Sequence, residues 1–158
     1  MDLVRSVGGF YTKPDYTFDT MPDDYAALIL IGGFGWESEE AKKLVPIIKQ
    51  AISKGIIVGA ICNGASFLAQ NGFLNNIKHT GNGLEELKRW GGNNYTNEAG
   101  YQNQQAVSDN GIVTANGTAS LEFAVELMRL LKIDTPENIS AYFQFMKLGF
   151  CEFMEQLK

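Results

Sequence analysis

Cys62 is the residue around which covalent chemistry is most readily built in this sequence. It stands at the carboxyl end of the apolar run Ile56–Cys62 and is followed by Asn63-Gly64-Ala65 and a helix-like stretch. A strand–turn–helix elbow projects such a side chain outward and presents backbone N–H groups beside it. A helix amino terminus also favours the thiolate form. The small residues Gly59, Ala60, Gly64 and Ala65 let the turn tighten without clashes. The plainer reading of Cys62 is a small buried hydrophobe, as free cysteine often is. Gly32-Gly33 ends the neighbouring apolar run and suits a tight turn or the close approach of a ligand. Acyl chemistry at a thiolate needs two donors aimed at the developing oxyanion. The N–H groups of Gly33 and Asn63 are the candidates. His79 is the single histidine and the candidate base for the thiol, the alternative being a solvated loop side chain. Cys151 and Glu122 are read as structural, the latter complementing a helix dipole.

The elements that must position these residues follow from hydrophobic periodicity. Ala26–Ile31 is a continuous apolar run, as expected for a parallel strand buried on both faces. Glu37–Ser53 has helical spacing with a kink or break expected at Pro46. The strand Ile56–Cys62 precedes a helix over about Ala65–Asn71, closed by Gly72. This alternation predicts an α/β fold with a mostly parallel sheet. Gly91–Gln105 reads as a surface loop running into an edge strand near Tyr101–Val107. Asp109-Asn110-Gly111 is a turn, Ile112–Ala115 a strand and Ala119–Leu131 a helix. Thr135-Pro136 opens a last helix from Glu137 to about Met154. Its aromatic stripe, Tyr142, Phe143, Phe145, Phe150 and Phe153 among others, reads as core or dimer interface.

The chain has 158 residues, 45% of them apolar, enough for one packed domain over 1–158. Thirteen Lys and Arg against eighteen Asp and Glu give a net charge of −5, which argues against nucleic acid or an anionic membrane as partner. The apolar stretch Ala26–Trp36 is too short to span a bilayer, and the amino terminus lacks a signal-peptide pattern. The expectation is a cytoplasmic globular domain. Two cysteines and one histidine offer no metal-ligand spacing, so no metal or organic cofactor is expected.

Four segments taken together carry a resemblance: DYAALILIGG (Asp24–Gly33), GIIVGAICNGASFLAQNGFLNN (Gly55–Asn76), KHTGN (Lys78–Asn82) and IVTANGTASLEFA (Ile112–Ala124). In this order, over about Val7–Leu131, the sequence resembles the DJ-1/PfpI superfamily, the intracellular protease/amidase-like branch of the class I glutamine amidotransferase fold. The resemblance implies a flavodoxin-like, three-layer α/β/α sandwich with a reactive elbow cysteine at Cys62. It also implies an oxyanion pocket at Gly33 and Asn63 beside Gly32, a small-molecule substrate and a homodimer. Protease-like members place histidine directly after the cysteine, where this chain has Asn63. Members with a loop histidine align it nearer Asn82 than His79, which makes Asn82 a candidate binding residue. The family usually opens with a strand–helix–strand unit carrying a glutamate that bonds the thiol. This sequence begins with SVGGFYTKPDYTF (Ser6–Phe18), similar to the segment after that unit. The expectation is an N-terminally truncated fold with two unpaired inner sheet edges and no obvious carboxylate partner for Cys62.

The expected function is a cysteine hydrolase of the amidase or glutaminase type. The alternative is a non-hydrolytic redox or electrophile-stress protein, glyoxalase-, deglycase- or chaperone-like, using an oxidisable Cys62. A fold left without catalysis by truncation is the third possibility.

Overall fold

A computed structural model describes residues 3–156. A small antiparallel hairpin, β1 (Val4–Arg5) and β2 (Tyr11–Thr12), precedes β3 (Ala27–Leu30), α1 (Glu39–Lys42) and α2 (Leu44–Ser53). Next come β4 (Ile57–Ile61), α3 (Asn63–Gln70), α4 (Leu84–Gly91), β5 (Ala106–Asp109) and β6 (Ile112–Ala115). The described chain ends in α5 (Ser120–Leu131), α6 (Pro136–Leu148) and α7 (Phe150–Gln156). The main sheet has the order β3-β4-β6-β5, parallel except for the β5–β6 hairpin. Asn110 and Gly111 both take positive φ in the two-residue turn of that hairpin.

Strand alternation sorts the core onto two faces. Leu30, Val58 and Ala60 share a buried cluster with Ile48 and Ala51 of α2 and Ala65 and Leu68 of α3. Val113 and Ala115 share a second cluster with Phe123, packed by Ile61 and Leu127, on the face covered by α5. At Gly59 a Cβ would lie 2.8 Å from the Phe123 ring, so only glycine lets α5 seat there. The sheet between two helical layers is the flavodoxin-like α/β arrangement.

Several elements differ from expectation. The helix break falls at Lys43, and Pro46 sits in the first turn of α2, where its missing N–H has no intrahelical partner to lose. The segment Leu84–Gly91, unassigned by the sequence reading, is helix α4. Glu85 and Glu86 in its first turn and Lys88 and Arg89 in its last complement the dipole, and Leu87 is fully buried. The last helix divides at Gly149, whose φ of 78° ends α6. Its aromatic stripe is not core: α6 packs on α5 rather than on the sheet, leaving Tyr142, Met146 and Phe150 exposed. The edge strand β5 starts at Ala106, and Tyr101 makes only an isolated bridge to His79. The sheet has no inner gap, because β4 is bonded on both sides; its one unpaired parallel edge is β3, where Ile29 is 39% exposed.

Gly64 decides how closely α3 approaches β3. A Cβ there would lie 2.5 Å from the Leu30 carbonyl oxygen. Gly64→Ala gains about 1 kcal/mol of helix propensity, but the backbone clash costs on the order of 2–3 kcal/mol. The expected result is a net loss of stability, read as a lower urea midpoint; an unchanged or raised midpoint would refute this packing.

Candidate functional site

The carboxyl ends of β3, β4 and β6 meet at Cys62, which caps α3. The Cys62 backbone lies at φ 58° and ψ −129°, a conformation that costs a residue with a side chain about 1–3 kcal/mol. It is held there by its own N–H, which donates to the Ala115 carbonyl at 3.0 Å, and by its carbonyl, which accepts from Ala65 N–H at 3.0 Å. The thiol is half-buried. Two glycines bring neighbouring loops against it. A Cβ at Gly32 would lie 3.0 Å from the Cys62 Cβ, and one at Gly117 would lie 3.1 Å from Sγ.

Asn82 supplies the polar contact to the sulfur. Its Nδ2–H donates toward Cys62 Sγ at 3.5 Å and toward Glu86 Oε1 at 3.0 Å. Its Oδ1 accepts from Gly117 N–H at 2.9 Å, which fixes which end of the carboxamide faces the thiol. Glu86 is in turn fixed by Ser66, whose hydroxyl donates to Oε1 at 2.9 Å. Asn63 Nδ2–H donates to the Gly33 carbonyl at 2.9 Å, tying the β3 loop to the start of α3. Trp36 fastens the same loop by donating to the Ile31 carbonyl at 2.9 Å. Among the described residues, the N–H groups of Gly33 and Asn63 donate to no protein acceptor.

His79 is placed elsewhere. It is fully buried rather than solvated, and both ring nitrogens are occupied. Nδ1–H donates to the Ile77 carbonyl at 2.9 Å, since a carbonyl can only accept, and Nε2 accepts from the Tyr95 hydroxyl at 2.7 Å. Burial holds the imidazole below its ordinary pKa, with the bond to Ile77 a smaller opposing influence. Burial likewise pushes the Tyr95 phenol up to about 12, so it stays a donor. No hydrogen bond joins His79 to Cys62. The ring instead fastens the loop that carries Asn82, together with Thr80, whose N–H donates to Thr114 Oγ1 at 2.8 Å.

Thus Cys62, Asn63, Gly32, Gly33 and Asn82 lie together and His79 does not join them. Sequence reasoning missed Gly117, Glu86 and Ser66. Asn82 and Glu86 are four residues apart across the start of α4, a spacing that brings side chains together once the helix is recognised. A cleft of about 570 Å³, lined by Asn82 and Gly117 among others, opens between the loops that follow His79 and β6. Among the described residues there is no cluster of metal-ligating side chains and no helix long and apolar enough to cross a membrane.

Fold and site define a class, the flavodoxin-like α/β proteins with a cysteine at a strand-to-helix turn. The sequence profile of the DJ-1/PfpI family matches residues 2–130, and the chain belongs to that family. It is 40% identical over 154 residues to a Bacillus subtilis protein named "Uncharacterized protease YdeA", covering 98% of this chain and 77% of that one. A thiJ/pfpI family protein from Bacillus anthracis superposes with a TM-score of 0.90 at 36% identity, over 99% of this chain and 74% of that one. "Deglycase PfpI" of Pyrococcus furiosus is 36% identical over 80 residues, about half of each chain (49% of this one and 48% of that one).

The buried imidazole makes stability depend on pH with a definite sign. Unfolded His79 protonates near pH 6.5, whereas the folded ring resists protonation to lower pH. The unfolded state therefore binds more protons as pH falls below about 6.5, and the fold loses stability there, by at most about 1.4 kcal/mol per pH unit. His79→Gln should flatten that limb in urea unfolding between about pH 7 and pH 5. An unchanged slope would mean that His79 titrates alike in both states.

Proposed function

We propose that Cys62 adds as a thiolate to the electrophilic carbonyl of a small molecule, the deglycase- or glyoxalase-like reading of this family. The observation that carries it is a thiol bonded to a carboxamide donor, flanked by two unpaired amides, with no base attached to it. The sulfur electron pair forms the S–C bond while the C=O π pair moves onto oxygen. The Gly33 and Asn63 N–H groups are the donors available to that oxyanion. With an aldehyde, a proton from water then completes a hemithioacetal and no leaving group is needed.

Amide hydrolysis asks for more. The amine must leave with a proton, and neither Asn63 nor Asn82 can supply one. That reading keeps one foothold, since the Glu86 carboxylate lies one hydrogen bond beyond Asn82. The names of the relatives divide the same way, "protease" for one and "deglycase" for another.

Uptake of methylglyoxal by the purified chain, up to one equivalent as the Cys62 hemithioacetal, tests the proposal. Cys62→Ala should abolish it. Asn82→Ala removes a hydrogen bond to a charged sulfur worth about 1.5–3 kcal/mol, so the rate should fall roughly 10- to 100-fold. Undiminished uptake by Cys62→Ala would overturn the proposal. Turnover of a p-nitroanilide without carbonyl uptake would favour hydrolysis.

A further inference from the structure

We infer that the cleft beside Cys62 is a subsite for an uncharged, hydrogen-bonding group, so that carbonyl compounds bearing a carboxylate or phosphate are turned away. The inference rests on Cys62 being the reacting group and adds the class of substrate it receives.

The cleft is lined at one end by Asn82, whose Nδ2 lies 3.5 Å from the Cys62 sulfur, and by Gly117, where an added Cβ would lie 3.1 Å from it. From there it is lined by Tyr101, Asn103, Gln104 and Asn116. Carboxamides and hydroxyls offer donors and acceptors together without charge, which suits an amide or hydroxyl on the ligand. Among the described residues, no Lys or Arg lines the cleft. The Glu86 carboxylate lies 3.0 Å from Asn82 Nδ2.

Beyond Gln104 a second, smaller cleft of about 260 Å³ begins, and Arg129 lines it. That guanidinium is already paired with Glu126 at 2.6 Å, and Lys147 nearby is paired with Glu122 at 2.6 Å. An anion entering the first cleft would give up water for uncharged donors, close to Glu86 and on a chain of net charge −5. A neutral group loses nothing comparable. The volume of about 570 Å³ also lies in the range of pockets that take whole small-molecule ligands, well beyond a three-carbon aldehyde. The class that fits is an uncharged aldehyde or α-oxo compound with an amide- or hydroxyl-bearing tail.

Iodoacetamide and iodoacetate are a matched pair of probes. Each alkylates a thiolate by forming an S–C bond as the C–I bond breaks and iodide leaves, and they differ only in carboxamide against carboxylate. The ratio of their rate constants at Cys62, followed by peptide mass mapping, is compared with the ratio for N-acetylcysteinamide at the same pH and about 0.15 M salt. The expected ratio at Cys62 exceeds the free-thiol ratio by roughly tenfold. Gln104→Lys, which places a cation on the cleft wall, should bring it back several-fold. A ratio equal to that of the free thiol, with Cys62 readily alkylated by both, would overturn the inference and leave the thiol reading intact. Labelling of Cys151 with none at Cys62 by either reagent would instead remove the reading on which the inference rests.

Discussion

The site depends on one backbone conformation, the positive φ of Cys62 between β4 and α3. Left to itself that conformation is unfavourable by about 1–3 kcal/mol. The surrounding fold over-determines it. The β4–β6 ladder continues one residue past the strand as the bond from Cys62 N–H to Ala115, and α3 buries a continuous run of small and apolar residues directly behind. The same turn explains where glycine is required. Gly64 lies against the β3 backbone, while Gly32 and Gly117 lie against the cysteine itself. At Gly64 backbone occupies the space a side chain would take, and at Gly32 and Gly117 the Cys62 side chain crowds it.

Around that turn, carboxamides stand where proton-transfer groups would otherwise be expected. Asn82 can hold a sulfur anion and orient it but cannot remove a proton. Its orientation is inherited in two steps, from Gly117 and Glu86 directly and from the buried His79–Tyr95 pair that anchors the preceding loop. The single histidine thus contributes to the site through architecture. Its removal from water, with both nitrogens satisfied inside the fold, is what suits it to that task and unsuits it to acid–base work. The adjoining cleft continues the pattern, lined by several carboxamides and, among the described residues, without a cation on its walls.

The fold class was legible because parallel strands declare themselves as unbroken apolar runs, and because the Asn110-Gly111 turn has chemistry suited to a two-residue hairpin. Ile56–Cys62 is buried as that pattern expects, whereas Ala26–Ile31, with the same pattern, forms the edge strand and leaves Ile29 and Ile31 exposed. The tight turn at Cys62 was legible from its small neighbours. Other features needed three dimensions. α4 is only eight residues long between glycines, too short for periodicity to stand out, although its charges are correctly ordered for a helix. Pro46 marked a break, but the break lies three residues upstream because proline is tolerated in a first turn. His79 was read as a base for the thiol or a solvated loop side chain, because Tyr95, its hydrogen-bond partner in the buried site, is 16 positions away. Ser66 and Glu86 come from different helices 20 positions apart, so no local pattern joins them. The aromatic stripe of α6 and α7 was read as core or dimer interface, and composition cannot tell a sheet-facing helix from one stacked on another helix.

The most direct test of the account is protection of Cys62 by a reactive carbonyl. Iodoacetamide labelling of Cys62 and of exposed Cys151 would be followed in one digest while methylglyoxal is raised. A reaction centred on Cys62 predicts saturable protection there, reversed on dilution, with Cys151 unaffected. Equal protection of both cysteines, or none at Cys62, would contradict it.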